Sequence, residues 1–233
     1  MSFDGNDPAL SGATQNGDGT INISGAGGDN GYNAQIATAS AGGTPTSWTG
    51  HAFGGGGYFE ATLSFTGAPS TNGGWPSFWA NTVEGMSGSN AATNNSENIE
   101  VDAVEFDTEW AGLSFGSGLH DWYGSGSQVS TTGNSPQLIP AGTDLSQPHK
   151  YAFLWVPATA TAQGFIKFYF DGAEGPNVTA WSPYNPSLSP TSNPYAVLDI
   201  YHLVLIIGTG PGNPMTVHGV SVWQSSGANN ISQ

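Results

Sequence analysis

The chain has 233 residues, 37% hydrophobic and 12% aromatic, with 17 acids against two lysines, Lys150 and Lys167, for a formal charge of −15. Phosphate contacts need Lys and Arg, so this balance excludes nucleic-acid binding and disfavours anionic membrane surfaces and sulfated or uronic polysaccharides. Cysteine is absent, no run reaches the ~20 apolar residues of a membrane span, and Met1-Ser2-Phe3-Asp4 shows neither the basic start nor the apolar core of a signal peptide.

The 35 Gly and 15 Pro punctuate short β-branched and aromatic runs, the pattern of an all-β chain. No window keeps a helical apolar stripe free of Gly and Pro. A single domain over 1–224 with a frayed tail over 225–233 is expected. In chain order, Gly17-Asp18-Gly19-Thr20 is a turn before the alternating strand Ile21–Ser24, and residues 32–38 form a second strand. Four glycines at 54–57 precede the clear strand Tyr58–Phe65. Trp75-Pro76-Ser77-Phe78-Trp79 follows a polar loop. After an acidic strand near residue 100, Gly116 to Gly118 read as a turn, and His120–Tyr123 as a short strand. Residues 124–147 read as loop. Tyr151–Val156 is a buried strand. Phe165–Phe170 enters a tight hairpin at Asp171-Gly172, since Asp-Gly supplies the positive φ such a turn needs. The five prolines in 173–194 suggest a long loop. Tyr201–Ile207 and Thr216–Trp223 complete the strands, and many short strands joined by long loops predict a two-sheet sandwich.

The acidic strand, Glu100-Val101-Asp102-Ala103-Val104-Glu105, carries the chemistry. Period-2 alternation puts Glu100 and Asp102 on one face and Glu105 on the other. One extra residue at Ala103 or Val104, a β-bulge, would bring Glu105 round to join them. Two glutamates on one face, roughly 5–5.5 Å apart, are what a retaining glycosidase requires. Two other readings stay open on these residues alone: a solvated strand face, and a calcium site, since hard cations take carboxylate clusters. The apolar Ile99, Val101, Val104 and Phe106 favour a strand within a sheet.

Across the chain the pieces resemble glycoside hydrolase family 16, the laminarinase-like β-glucanases. The resemblance is carried by Gly17–Ile21, Gly57–Ala61, Trp75–Trp79, the bulged E-x-D-x-x-E of Glu100–Glu105, His149-Lys150-Tyr151 with Trp155, Tyr169–Gly172, and Pro214–Gln224. It implies an all-β jelly-roll sandwich of two antiparallel sheets with a concave carbohydrate-binding cleft. It also implies Glu100 as nucleophile, Asp102 as its electrostatic helper and Glu105 as general acid/base. Trp75, Trp79, Trp110, His120 and Trp122 become candidate sugar contacts, with core packing as the alternative for each tryptophan and a satisfied structural histidine as the alternative for His120; Trp155 and Trp223 are expected in the core. Asp107 and Glu109 continue the strand, towards the cleft or into solvent. The chain departs from the family in having Asn95–Asn98 where a Trp often precedes the first Glu, and in lacking arginine. His218 stands where members commonly place an Asp calcium ligand, so a structural calcium is doubtful and no metal or other cofactor is expected. The implied function is an extracellular, monomeric, endo-acting retaining β-glycanase on a neutral β-1,3- or mixed-linkage glucan. A lectin-like sandwich, a transglycosylase and an agarase-like galactan hydrolase are the alternatives.

Overall fold

A computed structural model describes residues 12–24, 34–41, 47–66, 75–87, 98–106, 114–123, 128–132, 136–188, 192–209 and 213–233. Its strands, in chain order, are β1 (Ala13–Gln15), β2 (Ile21–Ile23), β3 (Ala34–Ala37), β4 (Ala39–Ala41), β5 (Trp48–Ala52), β6 (Gly57–Phe65), β7 (Ser77–Thr82), β8 (Asn98–Glu105) and β9 (Ser114–Tyr123). They continue with β10 (Gln128–Thr132), β11 (Gln137–Leu138), β12 (His149–Val156), β13 (Gly164–Phe170), β14 (Ala173–Trp181), β15 (Leu203–Thr209), β16 (Met215–Trp223) and β17 (Ile231–Ser232). Among the described residues, the helical pieces are a short helix, α1 (Val83–Ser87), and a 3₁₀ turn over Pro194–Asp199.

The strands form two large antiparallel sheets, as a jelly-roll sandwich requires. Sheet I has the order β1-β2-β16-β6-β12-β13-β14, and sheet II the order β10-β9-β8-β7-β15-β3 with β11 added beside β9. Between them lies one apolar layer. From sheet I it takes Phe59, Leu63, Phe153, Trp155 and Phe168; from sheet II it takes Phe78, Val101, Phe115, Leu119 and Leu205. Phe59 stacks on Phe153 at 4.8 Å, an aromatic pair that adds to simple burial. Trp155 is therefore core, as expected. A smaller sheet, β17-β5-β4, covers part of the far side of sheet II. It closes a second apolar cluster of Ala39, Trp48, Ala52, Val83, Val204 and Ile206.

Five expectations change, the first being that residues 124–147, read as loop, contain β10 and β11, both paired antiparallel with β9. Gly116 and Gly118 lie inside β9 rather than in a turn, because their pairing with β8 continues through Asp102↔Gly118 and Glu105↔Gly116. Residues 173–181 form β14 rather than a loop. The Asp171-Gly172 hairpin (φ 47° and 79°) folds them back on β13, and Pro176 is tolerated because β14 is an edge strand. The segment after Ser225 is not frayed: β17 pairs with β5, Asn230 Oδ1 accepts from Gly54 N at 3.0 Å, and His202 Nε2 lies 2.9 Å from Asn229 O.

The fifth correction is Trp223, which is 54% exposed rather than buried. Counting by twos from the core residue Val217 puts Trp223 inside. The β16–β6 register shifts between Val217 and Gly219, however, so that Val222 pairs with Phe59 and Trp223 with Tyr58. A one-residue bulge at His218 inverts the faces of everything after it.

Candidate functional site

β8 is an interior strand of sheet II, and its register shows a bulge at the expected place. Against β7, Asp102 pairs with Trp79 and Val104 with Phe78, leaving Ala103 extra. Against β9, two residues, Ala103 and Val104, oppose Ser117 alone. Both bulge residues are fully buried with Ile99, Val101 and Phe106 in the core. With Ile99 and Val101 anchoring one side of the kink and Phe106 the other, Glu100, Asp102 and Glu105 share the opposite face. Reading across that face, Asn81, Glu100 and His120 form one row, Trp79, Asp102 and Gly118 the next, and Ser77, Glu105 and Gly116 the third. Gly118 and Gly116 place no side chain beside Asp102 and beside Glu105, and both glycines are buried.

Each carboxylate has an aromatic neighbour. Trp122 Nε1 donates to Glu100 Oε2 at 3.0 Å, and Trp75 Nε1 donates to Glu105 Oε1 at 2.9 Å. His120 Nε2 lies 3.0 Å from Asp102 Oδ2, within ion-pair range, although that oxygen has no partner in hydrogen-bond geometry. The His120 ring stacks on Trp122, 6.1 Å between centroids. Trp75 reaches Glu105 from a left-handed backbone, φ 53°. That conformation costs a non-glycine residue roughly 1–2 kcal/mol, and such strain concentrates at functional sites.

Burial dominates the electrostatics. Glu100 is 7% exposed and Asp102 1%. Desolvation pushes the Glu100 carboxyl well above the usual range, the charges of Asp102 and Glu105 add to this, and His120 and Trp122 oppose it. Asp102 is raised by desolvation first and by Glu105 second. Like charges this close cannot all ionise, so the group titrates as a unit.

Four of the five tryptophan and histidine candidates are described. Trp75, His120 and Trp122 contact the carboxylates. Trp79 shares their face, but its ring also packs against the cluster of Val204 and Ile206, so it is partly core. Trp110, Asp107 and Glu109 lie outside the described residues. One residue escaped the sequence reading. Asn81, beside Glu100 in register, is fully buried, and neither amide atom has a hydrogen-bond partner. The available signal was a polar residue at alternate spacing in the apolar run Phe78–Val83.

Among the described residues, the one cluster with metal-ligating chemistry is Glu100, Asp102 and His120, whose ligand atoms lie within 4.8 Å of one another. Calcium takes six to eight oxygens, and this trio offers two carboxylates and an imidazole. His218 instead has Nε2 2.9 Å from Ser64 Oγ.

No protein-family model matches the chain, and no curated protein matches it. Its fold is nevertheless shared with solved structures. The endo-1,3-β-glucanase from Streptomyces sioyaensis superposes with a TM-score of 0.58 at 16% identity, covering 96% of this chain and 80% of that one. A family 16 endo-glucanase from Bacteroides ovatus gives 0.55 at 13% identity, covering 91% and 84%. The κ-carrageenase from Pseudoalteromonas carrageenovora gives 0.53 at 15% identity, covering 91% and 82%. The chain thus has the fold of the family 16 glycoside hydrolases.

Proposed function

We propose that this chain is a retaining endo-β-glycanase of the family 16 type, acting outside the cell as a monomer on a neutral glucan with β-1,3 or mixed linkage. The observation that carries the reading is the β8 bulge. It gathers Glu100, Asp102 and Glu105 on one face and gives each glutamate a tryptophan N–H.

The roles follow from environment. Asp102, the most buried acid among the described residues, is held well above the usual carboxylate range by desolvation and by Glu105, and is read as the helper beside Glu100. Glu100, which accepts from Trp122 Nε1, attacks the anomeric carbon as its carboxylate. Glu105 protonates the glycosidic oxygen as the C–O bond breaks, and the product chain leaves. The sugar is then held as an ester on Glu100. Water enters, Glu105 takes its proton, and the hydroxide oxygen bonds to the anomeric carbon while Glu100 is released as carboxylate. Trp75, Trp79, Trp110, His120 and Trp122 are read as the sugar contacts.

The fold alone does not choose between neutral and sulfated polymers, since its neighbours include a glucanase and a carrageenase. Charge chooses. The chain has two Lys or Arg residues in all, and both are on sheet I, each paired with a glutamate: Lys150–Glu60 at 2.9 Å and Lys167–Glu174 at 2.8 Å. Neither stands on the carboxylate face to meet a sulfate.

The test is a panel of laminarin, mixed-linkage glucan, agarose and carrageenan, assayed for new reducing ends. Laminarin or mixed-linkage glucan should be cleaved. Cleavage of carrageenan with no neutral glucan touched would overturn the reading.

A further inference from the structure

The face of sheet I turned away from the core carries an aromatic surface that packing does not explain. Trp223, Tyr58, Leu154, Lys167 and Val178 lie in one row across β16, β6, β12, β13 and β14. Trp223 is 54% exposed and Val178 46%. Tyr58 stands at the centre of a three-ring group, 5.7 Å from Trp223 and 5.5 Å from Tyr169. The bulge at His218 is what turns Trp223 outward. Had the alternation run on, the ring would have entered the core and gained the usual burial energy.

The surroundings of these rings are polar but locally neutral. Tyr169 Oη donates to Glu174 Oε2 at 3.4 Å, and Glu174 also pairs with Lys167. Glu60, on the same face, pairs with Lys150. Both cations of a chain of charge −15 are thereby spent on the two glutamates beside this aromatic group. An anionic polymer would find no free cation here. A second copy of the chain would bring another charge of −15 towards the first, which opposes association. Sugar rings present C–H faces and hydroxyl rims. An exposed indole flanked by two half-buried phenols and by carboxylates matches that chemistry, and exposed apolar surface of this kind marks interaction sites.

We infer that Trp223, Tyr58 and Tyr169 form a second carbohydrate-binding surface, on the side of the sandwich opposite Glu100 and Glu105, that holds the enzyme on an insoluble neutral polysaccharide. This rests on the glycanase reading for the choice of polymer. Because the two surfaces lie on opposite sheets, binding at one does not require the other.

The experiment measures adsorption of the full chain to insoluble β-1,3-glucan particles, with Glu105→Gln present so that the particles survive. The same surface substitutions are then assayed for cleavage of a soluble glucan oligosaccharide in the active background. Trp223→Ala should weaken adsorption roughly tenfold, about 1.4 kcal/mol, while kcat/KM on the soluble oligosaccharide stays within about twofold. Trp223→Phe, which keeps a ring, should retain most of the adsorption. Equal adsorption with and without Trp223 overturns the inference and leaves the enzymatic reading intact. So does a dimer in sedimentation that Trp223→Ala dissociates. Adsorption through Trp223 with no cleavage of any glucan does the reverse, and a chain that neither adsorbs nor cleaves loses both.

Discussion

The two outer faces of the sandwich use the same residue types to opposite ends. On sheet II, Glu100 and Asp102 are buried without any lysine, and tryptophan N–H groups and His120 are their neighbours. On sheet I, Glu60 and Glu174 each have a lysine within 3 Å. Each face is shaped by a bulge: the one at Ala103–Val104 gathers the acids, and the one at His218 exposes Trp223. The difference teaches what makes a carboxylate reactive. A nearby cation settles its charge, whereas burial beside other acids leaves protonation finely balanced. On the proposed reading, Glu105 then exchanges the proton with the substrate while Glu100 serves as the carboxylate nucleophile.

The comparison predicts effects of decreasing size. The largest is on chemistry: Glu105→Ala should lower kcat by about 10²–10⁴-fold on polysaccharide. Activity should recover in part on glycosides with good leaving groups, which need little protonation. A uniform loss on both substrate types, with the protein still folded, would reassign Glu105.

Next comes the acid on the inner side of β9. Asp121 is 2% exposed, its Oδ1 lacks a partner, and burial pushes its carboxyl up to about 6. The folded state thus holds this proton more tightly than the unfolded chain. The stabilising contribution is complete below about pH 4 and is lost as the pH rises through about 6. Asp121→Asn should flatten the stability curve over that window and gain up to about 3 kcal/mol at pH 7. Parallel urea-melt curves for the two proteins across pH 4–7 would rule out this origin.

A smaller effect separates the donor from the acid. Trp122→Phe keeps the ring but removes the N–H that favours ionised Glu100. A hydrogen bond to a charged group contributes about 1.5–3 kcal/mol, so the acidic limb of kcat/KM should move to higher pH by about one unit or more. An unmoved limb would show that Glu100 does not set it.

The smallest effect belongs to the lysine face. Glu174→Gln breaks a solvent-exposed pair with Lys167, and such pairs contribute about 0–1 kcal/mol. A thermal midpoint that drops by more than that allows would show that the face is a structural network rather than a neutralised surface.

Much of this was legible in the sequence. E-x-D-x-x-E with apolar residues between the acids shows its own bulge, because only a bulge reconciles three acids on one face with Ile99, Val101, Val104 and Phe106 on the other. The bulge at His218 left no such mark: neighbouring Val220 and Val222 are apolar in either phase, so alternation alone placed Trp223 inside. Gly116 and Gly118 were misread for a related reason. Locally, two glycines two residues apart signal a turn; in the sheet they are the bare positions opposite Asp102 and Glu105.

The sequence by itself determined the all-β class, the carboxylate strand and the absence of any arginine, because composition and alternation are properties of the chain alone. Tertiary structure decided which strands are neighbours, and with them which side chains meet. Trp75 and Glu105 are 30 residues apart, Trp122 and Glu100 are 22 apart, and Lys150 and Glu60 come from strands far apart in the chain. Their contacts exist only because hydrogen-bonded registers between strands fix the faces. A register is set by pairing partners and bulges, and no local stretch of sequence contains both sides of the pair.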